Sequence, residues 1–150
     1  MAIITIKDVL RQAEAFEQML SEYYASIAHQ TQREGVRLLA DYMARHRARL
    51  HEALDRLDPA EAARMTAMPL RYQPKAADCD CFEKVRLPEG ATAADVLDAA
   101  LTLDGCLILL YRQVLAQEIS PEVSELFESL LRSEQRDQVE LRKIKAMDYF

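Results

Sequence analysis

The chain has 150 residues and a formal net charge of −6, enough for one domain with a proper core and too few for two ordinary ones. A net negative charge disfavours general attraction to nucleic acid or to an anionic membrane surface. Glycine occurs only 3 times and tryptophan not at all, while Ala, Leu, Glu and Arg, which favour helices intrinsically, dominate.

In chain order, the start Met1 to Asp8 reads as neither a targeting leader nor an apolar anchor, and no stretch approaches the roughly 18 apolar residues of a membrane span. The expectation is a cytoplasmic protein. Apolar residues recur at three- and four-residue spacing over 6–30, 33–57, 93–118 and 121–146, which predicts four amphipathic helices. The segment between the second and third carries Pro59, Pro69, Pro74, Pro88 and Gly90 and cannot be one regular helix. A short helix over Pro59 to Met68 is expected there. Cys79, Cys81 and Cys106 are an odd and small number, which suits reduced thiols better than a disulfide framework. Cys79-Asp80-Cys81 also lacks the second cysteine pair of a four-thiolate metal site. A thiol-reactive loop is the remaining functional reading of that segment.

Sliding the chain against itself by 87 positions superposes Thr5 and Asp8 on Thr92 and Asp95, two Thr-x-x-Asp helix starts. Leu10 falls on Leu97, Leu20 on Leu107 and Tyr24 on Tyr111, and in the second arm Val36 falls on Val123, Met43 on Leu130 and Leu54 on Leu141. One helical hairpin is therefore written twice. The linker of about 35 residues far exceeds the 2 to 8 that join neighbouring antiparallel helices, so it can run the length of a helix. The expected architecture is all-α, a four-helix bundle of two hairpins joined by a long crossover, with residues 1–150 as a single domain.

Polar residues interrupt the apolar stripes at related places. Leu10, Glu17 and Tyr24 are spaced by seven, as are Leu97, Asp104 and Tyr111, so Glu17 and Asp104 occupy core positions. Arg47 lies in the stripe of the second helix and its repeat partner is Glu134, with Asp137 one turn on. Unpaired ions there would cost several kcal/mol each. A salt-bridge cluster of Arg47 with Glu17 and Glu134 is expected, since a guanidinium makes paired hydrogen bonds to carboxylates. Any excess negative charge would be met by protonation or by an ion.

This pattern resembles the ferritin-like superfamily, and within it the rubrerythrin-type diiron domains, over essentially the whole chain. In those domains the first helix of each pair supplies a glutamate and the second supplies Glu-x-x-His, all projecting inward. Here the first-helix positions hold Glu17 and Asp104, and the fourth-helix motif reads Glu134-Gln135-Arg136-Asp137. The second-helix motif reads Arg47-Ala48-Arg49-Leu50, without either ligand. The resemblance therefore implies a degenerate metal site, with no cofactor or at most a single Fe, Mn or Zn ion on Glu17, Asp104, Glu134 and Asp137, and His46 as a nitrogen donor. His46 and His51 are five residues apart and cannot grip one ion as an i, i+4 pair does.

Two functions follow as expectations. One is a protein that has lost oxidase chemistry and serves as a non-catalytic structural or binding protein, without membrane or nucleic-acid partners. The other is a divergent, oxidoreductase-like metal-binding protein on the remaining carboxylates. Phe16, Tyr23 and Leu110 broaden the apolar faces and suggest a homodimer.

Overall fold

A computed structural model describes residues 3–45, 49–75 and 77–147 of the chain. Those residues are all-α: the helices are α1 (Ile6–Gln30), α2 (Glu34–Arg45), α3 (Arg49–Asp55), α4 (Pro59–Thr66), α5 (Asp80–Glu83), α6 (Ala93–Leu115) and α7 (Pro121–Met147). The long ones follow the apolar periodicity closely. The segment expected as one helix over 33–57 is described as α2 and α3 on either side of residues 46–48.

Helix starts are set by local hydrogen bonds. Thr92 N–H donates to Asp95 Oδ2 at 2.9 Å, and Asp95 N–H donates to Thr92 Oγ1 at 3.2 Å, so each satisfies a backbone donor that a helix leaves free. Thr5 N–H likewise donates to Asp8 Oδ2 at 2.8 Å. That bond lowers the Asp8 pKa, although the carboxyl is fully exposed. Asp58 caps α4, with Pro59 opening its first turn. Gly90 adopts φ +74° in the turn closed by Ala91 N–H on Pro88 O, a left-handed conformation that side chains with a Cβ disfavour.

Helix α1 packs on α2 and α6 on α7, while α2 also meets α6 and α3 meets α7. The shared core holds Phe16, Leu20, Leu39 and Leu50 from the first half and Leu103, Leu107, Leu110 and Phe127 from the second. Burying such side chains contributes roughly 1.5 to 3 kcal/mol each.

The connection from α4 to α6 is where the sequence reading needs correction. Its start pairs with the N-terminal segment through Ile6 N–H to Met68 O at 2.9 Å and Leu70 N–H to Ile4 O at 2.7 Å. Further along, Gln117 Oε1 accepts from the backbone N–H groups of Arg71 and Tyr72, both at 3.0 Å, and Gln117 Nε2 donates to Tyr72 O at 2.8 Å. Lys75 N–H donates to Gln113 Oε1 at 3.2 Å. Gln12 Nε2 then donates to Ala77 O, and Tyr23 Oη to Val85 O, at 3.0 and 2.9 Å. Phe82 stands edge-on to both Phe16 and Tyr23, with ring centroids 5.2 and 5.5 Å apart. The segment therefore bridges α1 and α6.

Two readings of the sequence are corrected here. Phe16 and Leu110 are buried within the chain, and Tyr23 is half-buried against Phe82, so these three side chains do not form the exposed apolar strip that the sequence suggested. Cys81 and Cys106 form a disulfide, with Cα atoms 6.7 Å apart, and only Cys79 remains a free thiol. The reduced-thiol reading counted cysteines without knowing that the crossover returns to α6.

Gln117→Ala should remove three bonds from the crossover and cost about 1 kcal/mol or slightly more, since these bonds are partly open to water. Hydrogen exchange of the Arg71 and Tyr72 amides should accelerate while that of α6 stays unchanged. Burial raises the Tyr23 pKa above 10.0. Its contribution is therefore complete below about pH 10 and falls as pH rises through the raised folded-state value. Tyr23→Phe should lower stability near neutrality by about 1 kcal/mol through the lost bond to Val85 and should flatten the alkaline decline, both read from urea midpoints against pH.

Candidate functional site

A carboxylate in an apolar core must be neutralised by a proton or a cation, because burial penalises the charged form heavily. Among the described residues three acids are buried in this way. Glu17 on α1 is 7% exposed, Asp104 on α6 is 0% and Glu134 on α7 is 4%. Each is placed by its helix period: Glu17 lies one turn from Ala13 and Leu20, Asp104 beside Leu103 and Leu107, and Glu134 seven residues from both Phe127 and Leu141, all buried. Both oxygens of Asp104, Oε2 of Glu134 and the hydroxyl of Tyr24 are shut off from solvent.

Tyr24 and Tyr111, seven residues after Glu17 and Asp104, are buried as well. Tyr24 packs edge-on to Tyr23 at 5.4 Å and Tyr111 edge-on to Phe127 at 5.9 Å, geometry that aromatic quadrupoles favour. Ser21 Oγ donates to Ala44 O at 3.0 Å, tying α1 to α2, and Gln138 Nε2 donates to Leu101 O at 3.2 Å, tying α7 to α6. These bonds fix the rotation of each hairpin near the acids.

Leu50 is fully buried, so the position where the resemblance places a histidine ligand holds an apolar side chain packed in the core. Asp137, its counterpart in the second hairpin, is half-buried and lines an open groove of about 360 Å³ with Glu52, Arg56, Ser129, Ser133 and Arg136. The structure thus brings Glu17, Asp104 and Glu134 into the core and sets Asp137 at its α3–α7 edge. His46 and Arg47, and with them the expected salt-bridge cluster, lie outside the described residues, as does the side chain of His51. Among the described residues no group of three or more His, Cys, Asp or Glu side chains is arranged to hold a metal ion.

Sequence reasoning missed the half of this region that the crossover supplies. Gln113 in the last turn of α6, Gln117 just beyond its end, and Phe82 were the available signals. Periodicity does not mark them, because their partners lie far along the chain.

Leu50→Ala should cost about 2 to 5 kcal/mol in a urea titration, as expected for a core leucine. Leu50→Asp, which repeats the residue at 137, should cost at least as much by adding a buried charge; a neutral outcome would show that the position tolerates a ligand. No protein-family model, curated protein or solved structure matches this chain.

Proposed function

We propose that the chain is a ferritin-like, rubrerythrin-like four-helix bundle whose diiron site is degenerate, and that it works as a non-catalytic structural or binding protein. The reading is carried by one juxtaposition: Glu17, Asp104 and Glu134 are buried at the repeat-related core positions, while the buried residue at position 50 is a leucine. A leucine side chain has no donor atom for a metal, and its place in the core is lined by apolar neighbours. The acids that remain are then parts of the bundle interior, neutralised by protons or by a basic side chain, with Arg47 as the residue proposed for that role.

The homodimer belongs to the same proposal. Its support moves from Phe16, Tyr23 and Leu110 to the half-exposed side chains of Leu38 on α2 and Leu109 on α6. Among the described residues no helix is long and apolar enough to cross a membrane. The competing reading, a single Fe, Mn or Zn ion on the remaining carboxylates with His46, draws on the same buried acids and is decided by the same measurement.

Protein expressed in iron-rich medium and purified without chelators should carry well below one metal ion per chain by element analysis. Its unfolding midpoint should not move on adding a strong chelator, since a metal that binds only the folded state would shift it. Two iron atoms per chain would overturn the proposal. One stoichiometric ion lost together with stability would establish the single-metal reading instead.

A further inference from the structure

Three sulphur atoms lie on or beside the crossover. Cys81, in the single-turn helix α5, is 3% exposed and bonded to the partly buried Cys106 of α6, while Cys79, two residues before it, is exposed and free. An outside thiol or disulfide therefore meets Cys79 first, and exchange rates depend on which sulphur can be reached. Cys79 and Cys81 stand on opposite sides of one helical turn, so a bond between them requires that turn to unwind. Helix α5 has four residues and no side-chain cap at its N-terminus, and such short elements open at little cost.

We propose that Cys79, Cys81 and Cys106 form a thiol–disulfide exchange site for low-molecular-weight thiols and disulfides, whose Cys81–Cys106 bond latches the crossover onto α6. In the oxidising direction the Cys79 thiolate attacks an outside disulfide RSSR, forming Cys79–S–SR and releasing RS⁻. The Cys81 thiolate then attacks the Cys79 sulphur, forming a Cys79–Cys81 bond and releasing the second RS⁻. Finally the Cys106 thiolate attacks the Cys81 sulphur and Cys79 leaves as a thiolate. The outside disulfide is reduced to two thiols, which take up the protons given by Cys81 and Cys106, and those two residues are oxidised to the bond in the structure. Reduction by an outside thiol runs through the same steps in reverse. In reducing compartments such bonds are transient and serve catalysis or redox sensing, which suits a bond with a free thiol beside it.

The latch has a defined consequence. Residues 71–85 are otherwise held by side-chain hydrogen bonds from Gln12, Tyr23, Gln113 and Gln117 and by the Phe82 ring contacts. Breaking the disulfide removes the cross-link that holds the turn at Cys81 against α6. Opening then exposes Phe16 and Tyr23, beside the buried Glu17.

The test uses the full chain, reduced, desalted and then incubated with oxidised glutathione, with thiols blocked by N-ethylmaleimide at intervals and the intact mass measured. Wild type should re-form the Cys81–Cys106 bond with Cys79 alone blocked, and Cys79→Ser should form it about tenfold more slowly. In parallel, trypsin should cut after Lys84 or Arg86 about tenfold faster in reduced wild type and in Cys106→Ser than in oxidised wild type, with helix content unchanged. Bond formation at the same rate in Cys79→Ser, or no bond formed with oxidised glutathione, would overturn the exchange site. Equal cleavage of the oxidised protein, the reduced protein and Cys106→Ser would overturn the latch.

Discussion

Acidic side chains inside an apolar interior are the constraint on which this architecture turns. Glu17, Asp104 and Glu134 come from three helices, and all three are buried, Asp104 completely. A buried carboxylate forces its surroundings to supply a proton or a cation, and the penalty for failing is several kcal/mol per ion. The helices must therefore hold a fixed rotation, because about 100° of rotation per residue separates a buried acid from an exposed one. The interhelical bonds Ser21 to Ala44 and Gln138 to Leu101 act on that rotation, as do the apolar residues on either side of each acid.

The connection between α4 and α6 covers another part of this interior, at Phe16 and Tyr23. A long irregular segment carries backbone donors and acceptors that no helix satisfies, and in this chain the side-chain amides of Gln12 on α1, Gln113 on α6 and Gln117 just beyond α6 meet several of them. Gln117 takes two amide hydrogens and gives one bond back, so one residue orients a two-residue piece of chain. Phe82 fills the space beside Phe16 and Tyr23, and the disulfide ties the same turn to α6. The crossover is thus a cover as well as a connection.

This division explains what could be read in advance. The long helices were legible because their stripes have period 3.6 and because Thr-x-x-Asp marks two of their starts. Glu17, Asp104 and Glu134 were legible as core residues by the same period. Asp137 was placed too far inward, since three residues beyond Glu134 means about 60° short of a full turn, and that difference carries it to the groove beside α3. The crossover was not legible, because its contacts join residues tens of positions apart with no local pattern. The apolar strip of Phe16, Tyr23 and Leu110 therefore looked like an interface between chains, and three cysteines looked like three thiols.

The segments related by the 87-residue offset differ around the acids. Leu50 and Asp137 occupy equivalent positions, yet one is packed in the core and the other borders a polar groove. Well-packed apolar residues often stabilise a core as well as a buried ion pair does, or better, and Leu50 shows that this interior accepts one. Stability alone therefore does not account for acids at 17, 104 and 134. Each of them needs a matching proton or cation, and removing that match would leave a charge buried and uncompensated.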